Sequence, residues 1–386
     1  MKGPRKSLDR ISTLPQDAID LILSLMPIQD ALRTSVLSRK WRYSWTSMPK
    51  LVFSDMGVSS GNKEIDKYKF VKAIFHVLLL HRGPILEFCI ILFVHKNIFS
   101  EIDQMILHFS RSNNIKKFTF LICGEIYLLP CSFFSLQGLE HLDLTHCEFD
   151  LPLMNKGFNR LKKLRLFEVD ITNKMLQGFL TNCPLLEEFT WARGYYTNTK
   201  LSECEFVELF KCLPSIQVLR ISQLYIEHLG AGSNSMPHKL PISLPHLRIL
   251  ILNVCFLDLS TVLCVISSSP NLEKIKVEMC WDHDEHCLQH TFNNLPDIQE
   301  DYSGLNLDHL KELEITNFHN HGVEMEFVKL IMGKSPVLKK ARIELHYRVS
   351  VNEEVKMLRG LVHMPFPRAS PTVGFTIKRY NEIDLL

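Results

Sequence analysis

The segments 139–144, LEHLDL, and 161–166, LKKLRL, share one arrangement of residues: apolar, two variable, apolar, one variable, apolar. The last two apolar positions are two residues apart, so both side chains point to the same face of a β-strand. Such a short strand buries little surface alone, and neighbouring copies must stack to form a continuous core. The pattern therefore predicts a repeated strand rather than an isolated one.

The same pattern recurs along most of the chain. Its copies start at residues 85, 115, 139, 161, 186, 216, 247, 272, 310 and 338. Successive starts lie 22 to 38 residues apart, and the shorter intervals match the period of leucine-rich repeats. The longer intervals predict inserted loops, of which 228–244 contains Gly, Ser and Pro, and 281–306 is acidic and rich in histidine.

Helical segments precede several of these strands, and each is followed by a proline that ends it. These segments are 173–183, 203–213, 258–269 and 322–335, before Pro184, Pro214, Pro270 and Pro336. The unit of helix, proline and strand predicts an α/β solenoid with strands on one side and helices on the other. The alternative is a chance match in a chain that is 46% hydrophobic, and the recurrent helix-then-proline order argues against it.

The first fifty residues follow a different pattern. Pro15 is a start signal for a helix whose apolar residues recur at helical spacing up to Pro27. A second helix is predicted from about 29 to 36, and Ser38 is placed to cap a third in which Trp41 and Trp45 share a face. From 14 to 48, 17 of 35 residues are apolar. Three short helices cannot bury that many, so the excess must meet either the solenoid or another protein.

Two parts of the chain resemble a known family. The segment 14–45, LPQDAIDLILSLMPIQDALRTSVLSRKWRYSW, resembles an F-box. The segments 310–343 and 364–377, the latter MPFPRASPTVGFTI, resemble the FBD segment of the plant F-box/FBD/LRR-repeat family. The resemblance implies F-box helices at 8–53, a linker at 54–66, an irregular leucine-rich-repeat horseshoe at 67–305 and FBD-like repeats at 306–380.

The resemblance also implies a function. An F-box docks on a Skp-type adaptor, which joins a cullin scaffold and a RING subunit. The chain is then expected to be the non-catalytic substrate-recognition subunit of an SCF-type ubiquitin ligase, without cofactor or metal, in the nucleus and/or cytoplasm. The motif's contact or core positions are Leu14, Pro15, Ile19, Ile22, Leu23, Pro27, Ile28, Ala31, Val36, Leu37 and Trp41.

The repeats are expected to hold an unidentified target protein on the strand-lined side or on the loops at its rim. Candidate contacts at variable positions beside the strands are His141, Asp143, Lys163, Arg165, Arg220 and Arg248. The sequence leaves open the target, any small molecule that assists its binding, and the oligomeric state.

Two alternatives remain beside this interpretation. The N-terminal helices could serve only as a cap on the first repeat, because terminal repeats need capping. The chain would then be an interaction scaffold with no link to ubiquitin. A metal-dependent enzyme would need the cluster Cys280, His283, His286, Cys287 and His290, but this cluster lacks a paired Cys-x-x-Cys and is better explained as a solvated loop.

Composition excludes other classes of function. The formal net charge of +2 gives no electrostatic basis for binding nucleic acid or acidic membranes. No apolar run reaches the length that crosses a bilayer. The eleven scattered cysteines indicate a reducing compartment in which they act as small buried apolar residues.

Overall fold

The protein is described from a computed structural model. The described residues are 11, 13–55, 63–94, 98–112, 114–149, 158–192, 203–222, 239–254, 259–279, 302, 304–362 and 373–379. The chain divides into two compact units, Met1–Met175 and Leu176–Leu386. Each unit is an α/β solenoid built on a parallel sheet.

The first unit begins with short helices and continues as a parallel sheet. Its helices are α1 Gln16–Ser24, α2 Ile28–Arg33, α3 Lys63–Leu80 and α4 Phe99–Ser112, with 3-10 turns at Thr34–Val36, Trp41–Ser47 and Cys131–Ser135. Its strands are β1 Lys50–Ser54, β2 Glu87–Val94, β3 Lys117–Gly124, β4 Tyr127–Leu128, β5 His141–Thr145, β6 Cys147–Glu148 and β7 Lys163–Phe167. Strands β1, β2, β3, β5 and β7 pair in that order. The short strands β4 and β6 form a second parallel ladder.

The second unit continues the alternation of helix and parallel strand. Its strands are β8 Glu188–Ala192, β9 Val218–Ile221, β10 Ile249–Val254, β11 Lys274–Met279, β12 Glu312–Phe318, β13 Lys340–Leu345 and β14 Gly374–Arg379. They pair in chain order. Helix α5, Asn173–Thr181, contains the boundary between the units, and it is followed by α6 Glu203–Lys211, α7 Leu259–Ser267, α8 Gly322–Gly333 and α9 Val351–Val362.

All ten strands predicted from the apolar pattern are present. Each contains the last two apolar positions of its copy, and these side chains are buried. In β5, for example, Leu142 and Leu144 are buried while His141 and Asp143 alternate with them on the other face. The buried faces of the strands form the core together with the helices, as at Phe88 of β2, whose ring centroid lies 4.5 Å from that of Phe109 in α4.

Four strands were not predicted: β1, β14 and the two-residue strands β4 and β6. Strand β1 lies inside the interval predicted as F-box helices, and it repeats the same pattern, since Met48, Leu51 and Phe53 are all buried. Helix α3 begins at Lys63, inside the interval predicted as a linker. Strand β14 lies at an edge of the sheet, and its side chains are mostly exposed. Its sequence is therefore not held to the alternation of apolar residues that a buried face requires.

The three predicted N-terminal helices are present, but the third is not an α-helix. Residues Trp41–Ser47 form a 3-10 helix. The Ser44 hydroxyl donates to the Lys40 carbonyl over 2.8 Å, and the Thr46 hydroxyl donates to the Tyr43 carbonyl over 2.7 Å. Side chains that bond to nearby carbonyls compete with the regular helical ladder, which accounts for the tighter turn. Lys40, not Ser38, directly precedes this helix, although the Ser38 hydroxyl accepts a bond of 3.4 Å from the Trp41 amide.

Helix α8 begins around a fully buried carboxylate. Oε2 of Glu324 accepts the backbone amides of His321 over 2.8 Å and His319 over 3.2 Å. The side chain of Glu324 is completely buried. Amides at a helix start have no partner within the helix, and a buried amide left without one costs free energy. Glu324 therefore fixes the turn between β12 and α8.

Replacing Glu324 with Ala is expected to lower the free energy of unfolding by about 1–3 kcal/mol, because both amides lose their acceptor in a buried site. The matched control is Glu326→Ala on the same helix. Its side chain is 38% exposed and pairs with Lys329 at 2.5 Å, so its loss should cost at most about 1 kcal/mol. Urea denaturation followed by circular dichroism compares them, and equal midpoints for the two variants would rule out this role of Glu324.

Candidate protein-binding surfaces

The N-terminal helices expose several large apolar side chains. Val36 is 88% exposed and Leu25 is 81% exposed. The other exposed large apolar residues between 14 and 48 are Leu21, Ile22, Leu37 and Tyr43. We call these six residues the exposed F-box surface. Apolar groups at this density on a short helical segment mark a surface that another molecule covers.

Helix α1 shows how the sequence produces this surface. Ile19 and Leu23 lie one turn apart and are buried, whereas Leu21, Ile22 and Leu25 point away from the core. The outer side of this segment therefore mixes three exposed apolar side chains with the exposed Gln16, Asp17 and Asp20. A surface helix without a partner would carry mainly polar residues there.

The structure divides the eleven predicted adaptor residues into two groups. Pro15, Ile22, Pro27, Val36 and Leu37 are exposed, and Leu14 is partly exposed. The buried residues are Ile19, Leu23, Ile28, Ala31 and Trp41. These five hold the helices together and are the core positions of the motif, whereas the exposed residues stay candidates for contact with the adaptor. The structure adds Leu21, Leu25 and Tyr43 to the exposed residues. The sequence shows that they are apolar, but only the packing shows that they are exposed.

Polar contacts hold the N-terminal segment in place. The indole Nε1 of Trp41 donates to the carbonyl of Ile11 over 3.1 Å. Nε2 of Gln16 donates to the hydroxyl of Ser44 over 3.2 Å, which ties α1 to the 3-10 helix. Trp45 is buried, and its indole donates to the carbonyl of Arg42 over 3.1 Å. The exposed F-box surface therefore lies on an ordered frame.

The segment also packs on the first repeat. The Arg82 amide donates to the Thr46 carbonyl over 2.8 Å, and Nε2 of His81 lies 2.9 Å from the Met48 carbonyl. A Cβ at Gly83 would lie 3.0 Å from the Ser47 carbonyl, so glycine permits this close approach. The segment thus covers the start of the solenoid and still leaves its outer face open, so capping and partner binding are compatible.

Four of the six predicted target contacts lie together on neighbouring strands. His141 is opposite Lys163, and Asp143 is opposite Arg165. Nη1 of Arg165 lies 3.4 Å from Oδ2 of Asp143. Burial raises the pKa of the Asp143 carboxyl, although the charge of Arg165 acts in the opposite direction. These side chains point away from the core, as predicted.

The other two predicted contacts lie in the second unit, at different positions relative to their strands. Arg220 is on the open face of β9. Arg248 precedes β10 and pairs with Oε1 of Glu273 at 2.8 Å, while Oε2 of Glu273 pairs with Lys311 at 2.6 Å. The hydrogen bond from Lys311, followed by the charges of Lys311 and Arg248, holds the pKa of Glu273 below its usual value. Arg248 therefore belongs to a row of ion pairs at the strand starts, not to the strand face.

The described part of the chain contains no group of three or more His, Cys, Asp or Glu residues that could hold a metal ion. The cluster from Cys280 to His290 lies outside the described residues. Burial raises the pKa of Cys264 to about 11 and also raises that of Cys147, so both thiols are protonated at neutral pH. No helix among the described ranges is both long and apolar enough to span a membrane.

Comparison with known proteins matches three family models. These are the F-box domain at residues 11–53, the LRR repeats of FBD-associated F-box protein At5g56370 at 106–207, and FBD at 306–343. The F-box/FBD/LRR-repeat protein At1g13570 of Arabidopsis thaliana is 30% identical over 417 residues, covering 95% of this chain and 97% of that protein. This chain belongs to the F-box/FBD/LRR-repeat family.

Two other matches of this F-box/FBD/LRR-repeat chain are shorter or at lower identity. The putative F-box/FBD/LRR-repeat protein At5g52460 of Arabidopsis thaliana is 42% identical over 189 residues, covering 47% of this chain and 45% of that protein. Among solved structures, an LRR protein of Leptospira interrogans is 13% identical with a TM-score of 0.24, covering 84% of this chain and 95% of that one. An F-box implies binding to a Skp-type adaptor, and the exposed F-box surface lies within the matched residues.

Proposed function

We propose that this F-box/FBD/LRR-repeat protein is the substrate-recognition subunit of an SCF-type cullin-RING ubiquitin ligase. The observation that supports this proposal best is the exposed F-box surface, where Leu25 and Val36 are almost fully exposed on an ordered frame. Burial of such side chains against an adaptor would contribute roughly 25 cal/mol for each Å² of apolar surface removed from water. The F-box would thus attach the chain to the Skp-type adaptor, and through it to the cullin and RING subunits.

The repeats would hold the target protein on the open faces of the strands. The chain would supply no nucleophile and would act by proximity. A target lysine held near a charged ubiquitin-conjugating enzyme has a raised effective concentration, and its acylation becomes effectively intramolecular. This activity would take place in the nucleus and/or cytoplasm, where cullin-RING components are available.

Co-expression of the full chain with a Skp-type adaptor, a cullin and a RING subunit tests the proposal. We expect one complex containing all four proteins by size-exclusion chromatography with light scattering, and we expect the cullin and RING subunit to be absent from the complex when the adaptor is omitted. If the chain binds the adaptor but never retains the cullin, the ligase function is wrong. If it does not bind the adaptor, the interaction scaffold without a link to ubiquitin becomes the better explanation.

A further inference from the structure

We propose that the open sheet face of the first unit binds a target segment that is acidic and carries a large apolar side chain. This inference rests on the proposed function and names the chemistry of its target. The open face is the side of β1, β2, β3, β5 and β7 opposite to the buried positions of these strands. Helix α4 covers the other side, since Phe109 packs against the inward-facing Phe88.

The register of the strands arranges the open face in rows. The row nearest the strand starts, the charged row, consists of Lys50, Glu87, Lys117, His141 and Lys163. The third row, which we call the apolar row for its partly exposed Ile91, Leu121 and Phe167, also contains the polar Ser54 and the buried Thr145. Beyond the apolar row, Phe93 is 53% exposed on the same face of β2. One edge of the open face is therefore charged and the opposite edge is apolar.

The charges on this face are not balanced. Among the described residues of the charged row and the row beside it, the cations are Lys50, Lys117, Lys163 and Arg165, and the carboxylates are Glu87 and Asp143. Two cations face these carboxylates at long range, with N–O distances of 3.9 Å for Lys50–Glu87 and 3.4 Å for Arg165–Asp143. Strong charge-assisted hydrogen bonds are about 2.7–2.9 Å long. Glu87 and Asp143 would therefore be weak competitors for an incoming carboxylate at Lys50, Lys117 or Arg165.

The second unit has a different arrangement on its own sheet. There Lys274 lies 3.0 Å from Glu312 and 3.8 Å from Glu314. The third row of that sheet is polar, with Asn253, Glu278 and Thr316 in register. Among the described strands, the first unit therefore combines cations with an apolar row, which suits a ligand that is both acidic and apolar.

The spacing of the rows gives the spacing expected in the target. Lys117 and Leu121 lie four positions apart on β3, which corresponds to about 13 Å along a strand. An extended peptide covers the same distance in about four residues. The target segment should therefore carry Asp or Glu within about four residues of a Leu, Ile, Phe or Trp.

Selection of short random peptides, displayed on phage, against the purified full chain tests this inference. We expect enrichment of acidic peptides with a large apolar residue at that spacing. The enriched peptide, labelled with a fluorophore, should bind Lys117→Glu and Leu121→Thr at least about tenfold more weakly than the original chain. A version of the peptide with Asn and Gln in place of its Asp and Glu should lose affinity for the original chain to a similar extent.

The matched controls are Arg111→Glu and Leu107→Thr. Both residues are exposed on α4, which covers the opposite side of the sheet, and both variants should bind the peptide as the original chain does. Enrichment of neutral or basic peptides, enrichment of none, or equal binding by Lys117→Glu would overturn the inference. Adaptor binding is measured on the same preparations, so a chain that binds the adaptor but not acidic peptides contradicts only the inference about the target.

Discussion

Replacing Leu25 and Val36 with Glu together is expected to abolish binding of the Skp-type adaptor while the chain stays folded. Both side chains are more than four-fifths exposed, and substitutions at exposed positions usually change stability by less than about 0.5 kcal/mol. In the complex, each Glu would place a charge in a desolvated apolar contact. Loss of one central contact typically costs about 2 kcal/mol or more, so the pair should weaken binding by at least about 100-fold.

Isothermal titration calorimetry with the purified adaptor measures this effect, and thermal unfolding shows whether the fold is intact. The matched control is Val351→Glu, because Val351 is 60% exposed at the start of α9 in the other unit. It should bind the adaptor as the original chain does. Unchanged binding by the double variant would show that the exposed F-box surface is not the docking surface. Leu23→Asp is unsuitable for this test, since Leu23 is completely buried and a charge there would unfold the helices.

Most of the strand positions could be predicted from the sequence, because a strand with one buried face needs an apolar residue at every second position. In β7, Leu164 and Leu166 must both be apolar since they face the core, whereas Lys163 and Arg165 are free to vary. The strand β14 gave no such signal, because an exposed edge strand is held mainly by backbone hydrogen bonds to β13. The 3-10 helix at Trp41–Ser47 was missed for another reason. Its tight turn depends on hydroxyl-to-carbonyl bonds that compete with the α-helical ladder.

The candidate surfaces were less predictable than the fold. A motif shows that Leu23 and Val36 are both apolar, but only packing shows that Leu23 is inside and Val36 outside. The apolar row had a weak signal in the sequence, since β2 is apolar on both faces, with Cys89, Ile91 and Phe93 alternating with its core residues. Its position beside the charged row depends on the register between strands. That register follows from pairing across segments far apart in the sequence, which no single stretch encodes.

Replacing Phe88 with Ala is expected to lower the free energy of unfolding of the first unit by about 3–5 kcal/mol. Phe88 is buried on the inward face of β2. Its ring centroid lies 4.5 Å from that of Phe109, 5.8 Å from that of Phe53 and 5.8 Å from that of Phe118. The substitution leaves a cavity where α4 and three strands meet, and it removes aromatic contacts worth about 0.5–1.5 kcal/mol each. Because β1 directly follows the N-terminal helices, loss of the contact with Phe53 should also loosen their attachment to the sheet.

The matched control is Phe93→Ala on the same strand. Phe93 lies on the open face and is 53% exposed, so less apolar surface returns to water on truncation and the expected cost is below about 1.5 kcal/mol. Urea denaturation of both variants, followed by circular dichroism, measures the difference. Similar decreases in the free energy of unfolding would mean that the two faces of β2 are equally buried. The distinction between a packed core face and an open target face would then be wrong. A large decrease in the free energy of unfolding for Phe88→Ala alone would place the core on the helix side of the sheet. Only a side chain enclosed between the sheet and α4 leaves a cavity that its neighbours cannot fill.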